Sequence, residues 1–140
     1  MRNQLTLLAA AIALSLGTSV YAADTKAIDQ QHKAEVEKCK DMKGNAKDVC
    51  KKEADGKQKV AKAEAEVREN DTPKNRQKVE EAKANATYDV AKERCDDQKG
   101  DAKDACQKAA KAERDGAIAQ AKKASLTDDT TKTKETRRKE

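Results

Sequence analysis

A twelve-residue segment with a cysteine at each end occurs twice in the chain and constrains its fold more than any other feature. The first copy, CKDMKGNAKDVC, covers residues 39 to 50, and the second, CDDQKGDAKDAC, covers residues 95 to 106. The copies lie 56 residues apart and agree at eight of twelve positions, both cysteines included. The chain is therefore an internal duplication, and we expect both copies to adopt the same local structure.

Each copy has at its centre the residue types that end one helix and begin another. Gly44 and Gly100 suit the left-handed conformation just past a helix end, because glycine has no Cβ. Asn45 and Asp101 follow them and are typical helix N-caps. The pattern predicts one αα-hairpin per copy, with a helix corner at Gly44-Asn45 and another at Gly100-Asp101.

Most of the remaining chain favours helix. Ala, Lys, Glu, Gln and Arg dominate residues 27 to 123, and the single proline, Pro73, follows Thr72 as it would at a helix start. The sequence predicts four helices, over residues 26–43, 45–69, 73–99 and 101–124. Residues 126–140, rich in threonine and in charges of both signs, predict a disordered C-terminal tail.

The predicted helices have little apolar surface to bury. Charged residues make up 41% of the chain, and there is no Phe or Trp. Because ordering each residue costs about 1–2 kcal/mol of backbone entropy, a conventional hydrophobic core is not predicted. The third helix has two apolar faces, so we expect it to contact two neighbours; one face has Ala84, Tyr88, Ala91 and Cys95, the other Val79, Ala82, Ala86 and Val90.

The four cysteines predict disulfides, for which the sequence leaves two pairings open. A chain that turns back at each glycine brings Cys39 to Cys50 and Cys95 to Cys106. On an unbroken helix the two cysteines of a copy would lie about 16 Å apart, whereas a disulfide tolerates about 7 Å between Cα atoms. The copies would then bond each other, Cys39 with Cys106 and Cys50 with Cys95, as in the mitochondrial twin-cysteine hairpins that this spacing resembles. The glycines favour the local pairing.

The N-terminus has the pattern of a cleaved export signal. A basic start leads into an apolar run from Leu5 to Leu16, and small residues precede a cut after Ala22. An uncleaved anchor is the alternative. We predict a periplasmic protein without a transmembrane segment after processing, divided into residues 1–22 (signal peptide), 23–70 and 71–125 (two hairpins) and 126–140 (tail).

Few residues in the sequence are of types that suggest a catalytic or metal-binding site. His32, Cys39, Met42 and Cys50 share a face of the first hairpin and form the one candidate site for a soft metal. The second copy has Tyr88 and Gln98 at the equivalents of His32 and Met42, so the set is not repeated. With one histidine, no glycine-rich phosphate loop and acids interleaved with the bases, the sequence predicts no enzyme, no cofactor and no nucleic-acid partner.

The chain resembles small, uncharacterised exported Ala/Lys-rich proteins of Gram-negative bacteria. The resemblance rests on KGNAKDVC (43–50), KAEAEV (62–67) and KGDAKDAC (99–106). Those proteins are often labelled TolA-like or cell envelope biogenesis protein, although the similarity to TolA itself lies in helical composition and implies no TolA role.

The function that we expect is that of a non-enzymatic periplasmic helical protein with a structural, interaction or stress role at the envelope. Its partner would be an envelope protein, or an anionic envelope surface touched by the basic C-terminal end, which contains Lys132, Lys134, Arg137, Arg138 and Lys139. The alternative is a metal-buffering module that uses the cysteines with His32 and Met42. The partner, the oligomeric state and the inducing condition do not follow from the sequence.

Overall fold

A computed structural model describes residues 20–138; most of the predicted signal peptide and the last two residues lie outside this range. The described chain has four helices and no strand, which confirms the all-α prediction. The helices are α1 (Val20–Lys38), α2 (Gly44–Glu69), α3 (Pro73–Cys95) and α4 (Gly100–Arg138).

Each helix packs against the next one along the chain. Among the described helices, α1 contacts only α2, α4 contacts only α3, and α3 contacts both α2 and α4. The two apolar faces of α3 therefore have two neighbours, as the sequence predicts. The link Asn70–Thr72 makes α2 and α3 antiparallel, so the hairpins α1–α2 and α3–α4 lie side by side in one layer.

The corners inside the two hairpins are longer than predicted. We expected the first and third helices to run to residues 43 and 99, but α1 ends at Lys38 and α3 at Cys95. The disulfides explain the difference, because the chain must leave each helix at the first cysteine to bring the second cysteine alongside. Gly44 and Gly100, with φ of +59° and +56°, then direct the chain into α2 and α4.

The capping prediction is confirmed at the start of α3 but is wrong at the start of α2. The backbone N–H of Asn75 donates to Thr72 Oγ1 at 3.1 Å, so Thr72 caps α3 and Pro73 follows it as predicted. Asn45, however, is not the cap of α2: the N-cap position is Lys43, which makes no side-chain cap bond. Asn45 Nδ2 instead donates to the carbonyl of Glu93 at 2.7 Å and ties the first corner to α3.

The C-terminal segment also differs from the prediction of disorder, since α4 continues through residues 126–138. The hydroxyl groups of Thr127, Thr130 and Thr131 donate to backbone carbonyls three or four residues earlier, which lets threonine take part in a helix. Arg76 of α3 forms an ion pair with Asp128 and holds this part of α4 against the layer.

The core of the described chain consists almost entirely of small side chains. The buried apolar residues are Cys39, Ala54, Ala63, Ala65, Val79, Ala84, Cys95, Ala110 and Ala121. Small residues let helix backbones approach closely but bury little apolar area per residue. The fold is therefore expected to depend on its two disulfides more than on apolar burial.

Candidate functional site

Two disulfides hold the two hairpins and confirm the local pairing. Cys39 bonds Cys50 with their Cα atoms 5.7 Å apart, and Cys95 bonds Cys106 with theirs 5.6 Å apart. The alternative pairing between copies is therefore wrong. Cys39 and Cys95 are fully buried. Two disulfides in a small chain fit an oxidising compartment, such as the periplasm or the extracellular space.

The structure does not bring the four metal-candidate side chains together as free ligands. Cys39 and Cys50 are oxidised and have no thiolate to offer a metal. His32 Nε2 lies 2.7 Å from Asp55 Oδ1, and Met42 is 44% exposed in the turn after α1. Within residues 20–138, no group of three or more His, Cys, Asp or Glu side chains is placed to hold a metal ion.

Ion pairs join α1 to α2 along their length. The ion pairs are Asp24–Arg68, Asp29–Lys62 and Glu35–Lys57, with N–O distances of 2.8–3.1 Å, and His32 Nε2 lies 2.7 Å from Asp55 Oδ1 in the same row. Hydrogen bonds from Lys62 and then Gln58 hold the pKa of Asp29 below its ordinary 3.8. Partial desolvation raises the pKa of Glu35, but bonds from Lys57 and Gln31 outweigh it and bring that pKa below 4.5.

We expect acid to loosen α1 before the rest of the layer. A carboxylate with a depressed pKa stabilises the fold above its unfolded-state pKa, and the effect is lost as pH falls through the folded-state pKa. For Asp29 and Glu35 this loss begins near pH 4.5 and continues below 3.8. A backbone NMR titration from pH 6 to pH 2 should show α1 losing helical chemical shifts while α3 retains them.

The matched control for this titration is Asp29→Asn. This variant has no carboxylate at residue 29, so α1 should already be looser at pH 6 and should change less on acidification. Helical shifts of α1 that persist unchanged at pH 2 in the wild-type chain would show that the ion pairs do not hold this helix.

A groove runs along one side of the layer, and we call it the α3 groove. Its floor is α3, and its walls are α2 and α4, which contact each other nowhere in the described chain. The part near the Cys95–Cys106 disulfide has a volume of about 750 Å³, and the part near Pro73 about 540 Å³. Since α3 has 23 residues, the groove is about 34 Å long.

The α3 groove is lined by small apolar side chains and by charged residues of both signs. Small apolar side chains line it, among them Val60, Ala86, Val90, Ala91 and Ala110. The charged residues that line it are of both signs and include Lys57 and Glu64 of α2, Lys83 of α3 and Glu113 of α4. Beside the groove, the Arg114 guanidinium lies 4.4 Å from the centre of the Tyr88 ring and helps to join α4 to α3.

The sequence alone does not predict the groove. The two apolar faces of α3 indicated two neighbours but not on which side of the layer an open surface would remain.

Within residues 20–138, no helix combines the length and apolar character that a bilayer span requires. Comparisons with protein-family models, with curated proteins and with solved structures find no match to this chain.

Proposed function

We propose that this chain is an exported, non-enzymatic helical protein of the bacterial periplasm that binds an amphipathic helix of an envelope protein. The α3 groove is the observation that carries this proposal. A helix occupies a groove of this kind by placing an apolar stripe on the floor. The small floor residues let the two backbones approach closely, and about 34 Å of groove accommodates six turns of helix.

The mixed charges that line the groove favour a protein helix over an anionic envelope surface as its occupant. An anionic surface is attracted by edges of one positive sign, as in polybasic lipid-binding segments. The charges that line this groove are of both signs, with Lys57 and Glu64 on α2, Lys83 on α3 and Glu113 on α4. Mixed charges of this kind pair with the mixed charges that flank the apolar stripe of a soluble amphipathic helix.

The periplasmic location rests on the predicted cleavage after Ala22 and on the disulfides. Protein isolated from the periplasm should have the intact mass of a chain that begins at Ala23 and should contain no titratable thiol. That same fraction is the starting material for identifying the partner.

The groove is tested by photo-crosslinking from Thr87, which lies at its centre. A photoreactive residue at position 87 should crosslink to one segment of an exported protein, with apolar residues at a spacing of three and four. A synthetic peptide of that segment should bind the purified chain, and Ala91→Glu on the groove floor should weaken its binding roughly tenfold or more, because it places a charge against the apolar stripe.

Ala46→Glu is the matched control, since Ala46 is an exposed alanine of α2 outside the groove, and its peptide affinity should equal that of the wild-type chain. Equal binding by the Ala91→Glu and wild-type chains contradicts the groove proposal. Crosslinks confined to lipid, or to other copies of this chain, also contradict it.

A further inference from the structure

The interface between the two hairpins shows how a second copy of the chain can be bound. Because the repeat is 56 residues long, α2 is equivalent to α4, and α1 is equivalent to α3. Within the chain, α2 packs on α3. Their equivalents, α4 and α1, lie at opposite ends of the layer, and no described helix covers their corresponding faces.

Burial shows which residues of α4 form its uncovered face. Gly56 and Ala63 of α2 are buried, whereas their equivalents Ala112 and Ala119 on α4 are exposed. By contrast, positions that face the partner helix of the same hairpin are buried in both repeats, namely Ala54 with Ala110 and Ala65 with Ala121. The two repeats therefore differ in burial on the one face that α3 covers in α2.

On α1, too, residues are exposed whose equivalents on α3 are half-buried against α2. Ala86 and Val90 of α3 are half-buried next to α2, and Ala86 lies directly against Gly56. Their equivalents on α1, Gln30 and Ala34, are exposed. The equivalents of both halves of the internal interface thus lie exposed at the two ends of the molecule.

The charges on these two faces match each other. Within the chain, Lys59 Nζ of α2 lies 3.3 Å from Asp89 Oδ2 of α3. The equivalent residues are Asp115 on α4 and Lys33 on α1, both exposed, so the signs are exchanged but remain opposite.

A second ion pair recurs without any exchange of sign. Lys52 Nζ lies 3.9 Å from Glu93 Oε1 across the α2–α3 interface. Its equivalents are Lys108 on α4 and Glu37 on α1, and these are also exposed. Docking α4 on α1 in the arrangement of α2 on α3 therefore brings two pairs of opposite charges together.

We propose that α4 of one molecule docks on α1 of a second copy, antiparallel, as α2 docks on α3 within the chain. The two surfaces differ, so the contact is heterologous, and each dimer keeps one free α1 face and one free α4 face for further copies. This association does not use the α3 groove and is independent of the proposed function.

The intermolecular contact is weaker than the internal one. Where Gly56 and Ala86 approach closely, the second copy would place Ala112 against the longer Gln30. The Glu53–Arg94 ion pair of 2.9 Å has no counterpart, since residue 109 is an alanine. The association is therefore reversible and depends on protein concentration.

Sedimentation equilibrium of the processed chain, from micromolar concentration to about 1 mM, tests the proposal. The weight-average mass should rise above that of the monomer as concentration increases. Asp115→Lys opposes Lys33 with a like charge and should raise the dissociation constant by roughly tenfold. Adding Lys33→Asp restores opposite charges and should recover most of the affinity.

Glu113→Lys is the matched control, because it makes the same change of charge two residues away, on the groove side of α4. It should leave the dissociation constant unchanged, as should Ala91→Glu on the groove floor. A wild-type mass that stays monomeric up to about 1 mM overturns the proposal. Equal weakening by Glu113→Lys and Asp115→Lys, or no recovery in the double variant at unchanged helicity, does so as well.

Discussion

Breaking either disulfide is expected to lower the free energy of unfolding by about 3 kcal/mol. Each bond joins cysteines 11 residues apart, and closing a loop of that size removes roughly this much chain entropy from the unfolded state. In a chain with a large hydrophobic core such a loss would be tolerated. Among residues 20–138 the buried apolar residues are six alanines, one valine and the half-cystines Cys39 and Cys95, so little else there offsets it.

The two disulfides should differ in how much structure depends on them. Within the described part of the chain, α1 packs on α2 alone and is bonded to it by Cys39–Cys50, whereas α3 packs on both α2 and α4. Replacing Cys39 and Cys50 by alanine should therefore release α1 alone and lower the helical signal at moderate temperature. Replacing Cys95 and Cys106 by alanine should instead lower the melting temperature of the helices that remain folded, by roughly 10 °C or more.

Alanine is the right replacement because a serine hydroxyl at the fully buried positions 39 and 95 would add a separate polar cost. Wild-type protein in a reductant is the matched control, since it keeps all four sulfur atoms and loses only the bonds. Circular dichroism melts of the oxidised, reduced and alanine forms make the comparison. Equal melting temperatures of the oxidised and reduced wild-type protein would show that helix packing, and not the disulfides, stabilises the fold.

The structural features that depend on nearby residues along the chain could be predicted from the sequence. Glycines midway between the cysteines set the local disulfide pairing, and Thr72 with Pro73 set the start of α3, because both effects act over a few residues. The ends of α1 and α3 depend on where the disulfides lie, and Lys, Asp and Met at these ends are all compatible with a longer helix. Propensity alone could not place those boundaries.

Surfaces that depend on the packing of whole helices could not be predicted. Alanine lies on nearly every face of α4, so periodicity does not show which face packs on α3. The duplication contained a usable signal that was missed: Gly56 of α2 corresponds to Ala112 of α4, and Val60 corresponds to Gly116. A glycine on the face of α2 that meets α3, but not at its equivalent on α4, marks the one close helix contact that the second repeat lacks.

Gly56→Ala is expected to lower the free energy of unfolding by about 1–3 kcal/mol, although alanine is the better helix former. A Cβ at position 56 would lie 2.7 Å from Ala86 Cβ and 3.4 Å from Ala86 Cα. The Ala86 Cβ is fixed to its backbone and cannot move aside as the end of a flexible side chain can, so α2 and α3 must separate at this point. Adding Ala86→Gly removes the nearest atom and should recover part of the loss.

Gly116→Ala makes the same chemical change in the middle of α4 and should have the opposite sign. A Cβ at Gly116 would meet no atom of the folded chain within 4 Å, so only helix propensity applies, and stability should rise by about 0.5–1 kcal/mol. Urea unfolding of both variants is best measured at low micromolar concentration, because Gly116 lies on the α4 face proposed to bind a second copy. If Gly56→Ala is as stabilising as Gly116→Ala, α2 and α3 do not approach at Gly56, and the close helix contact assigned to this fold is wrong.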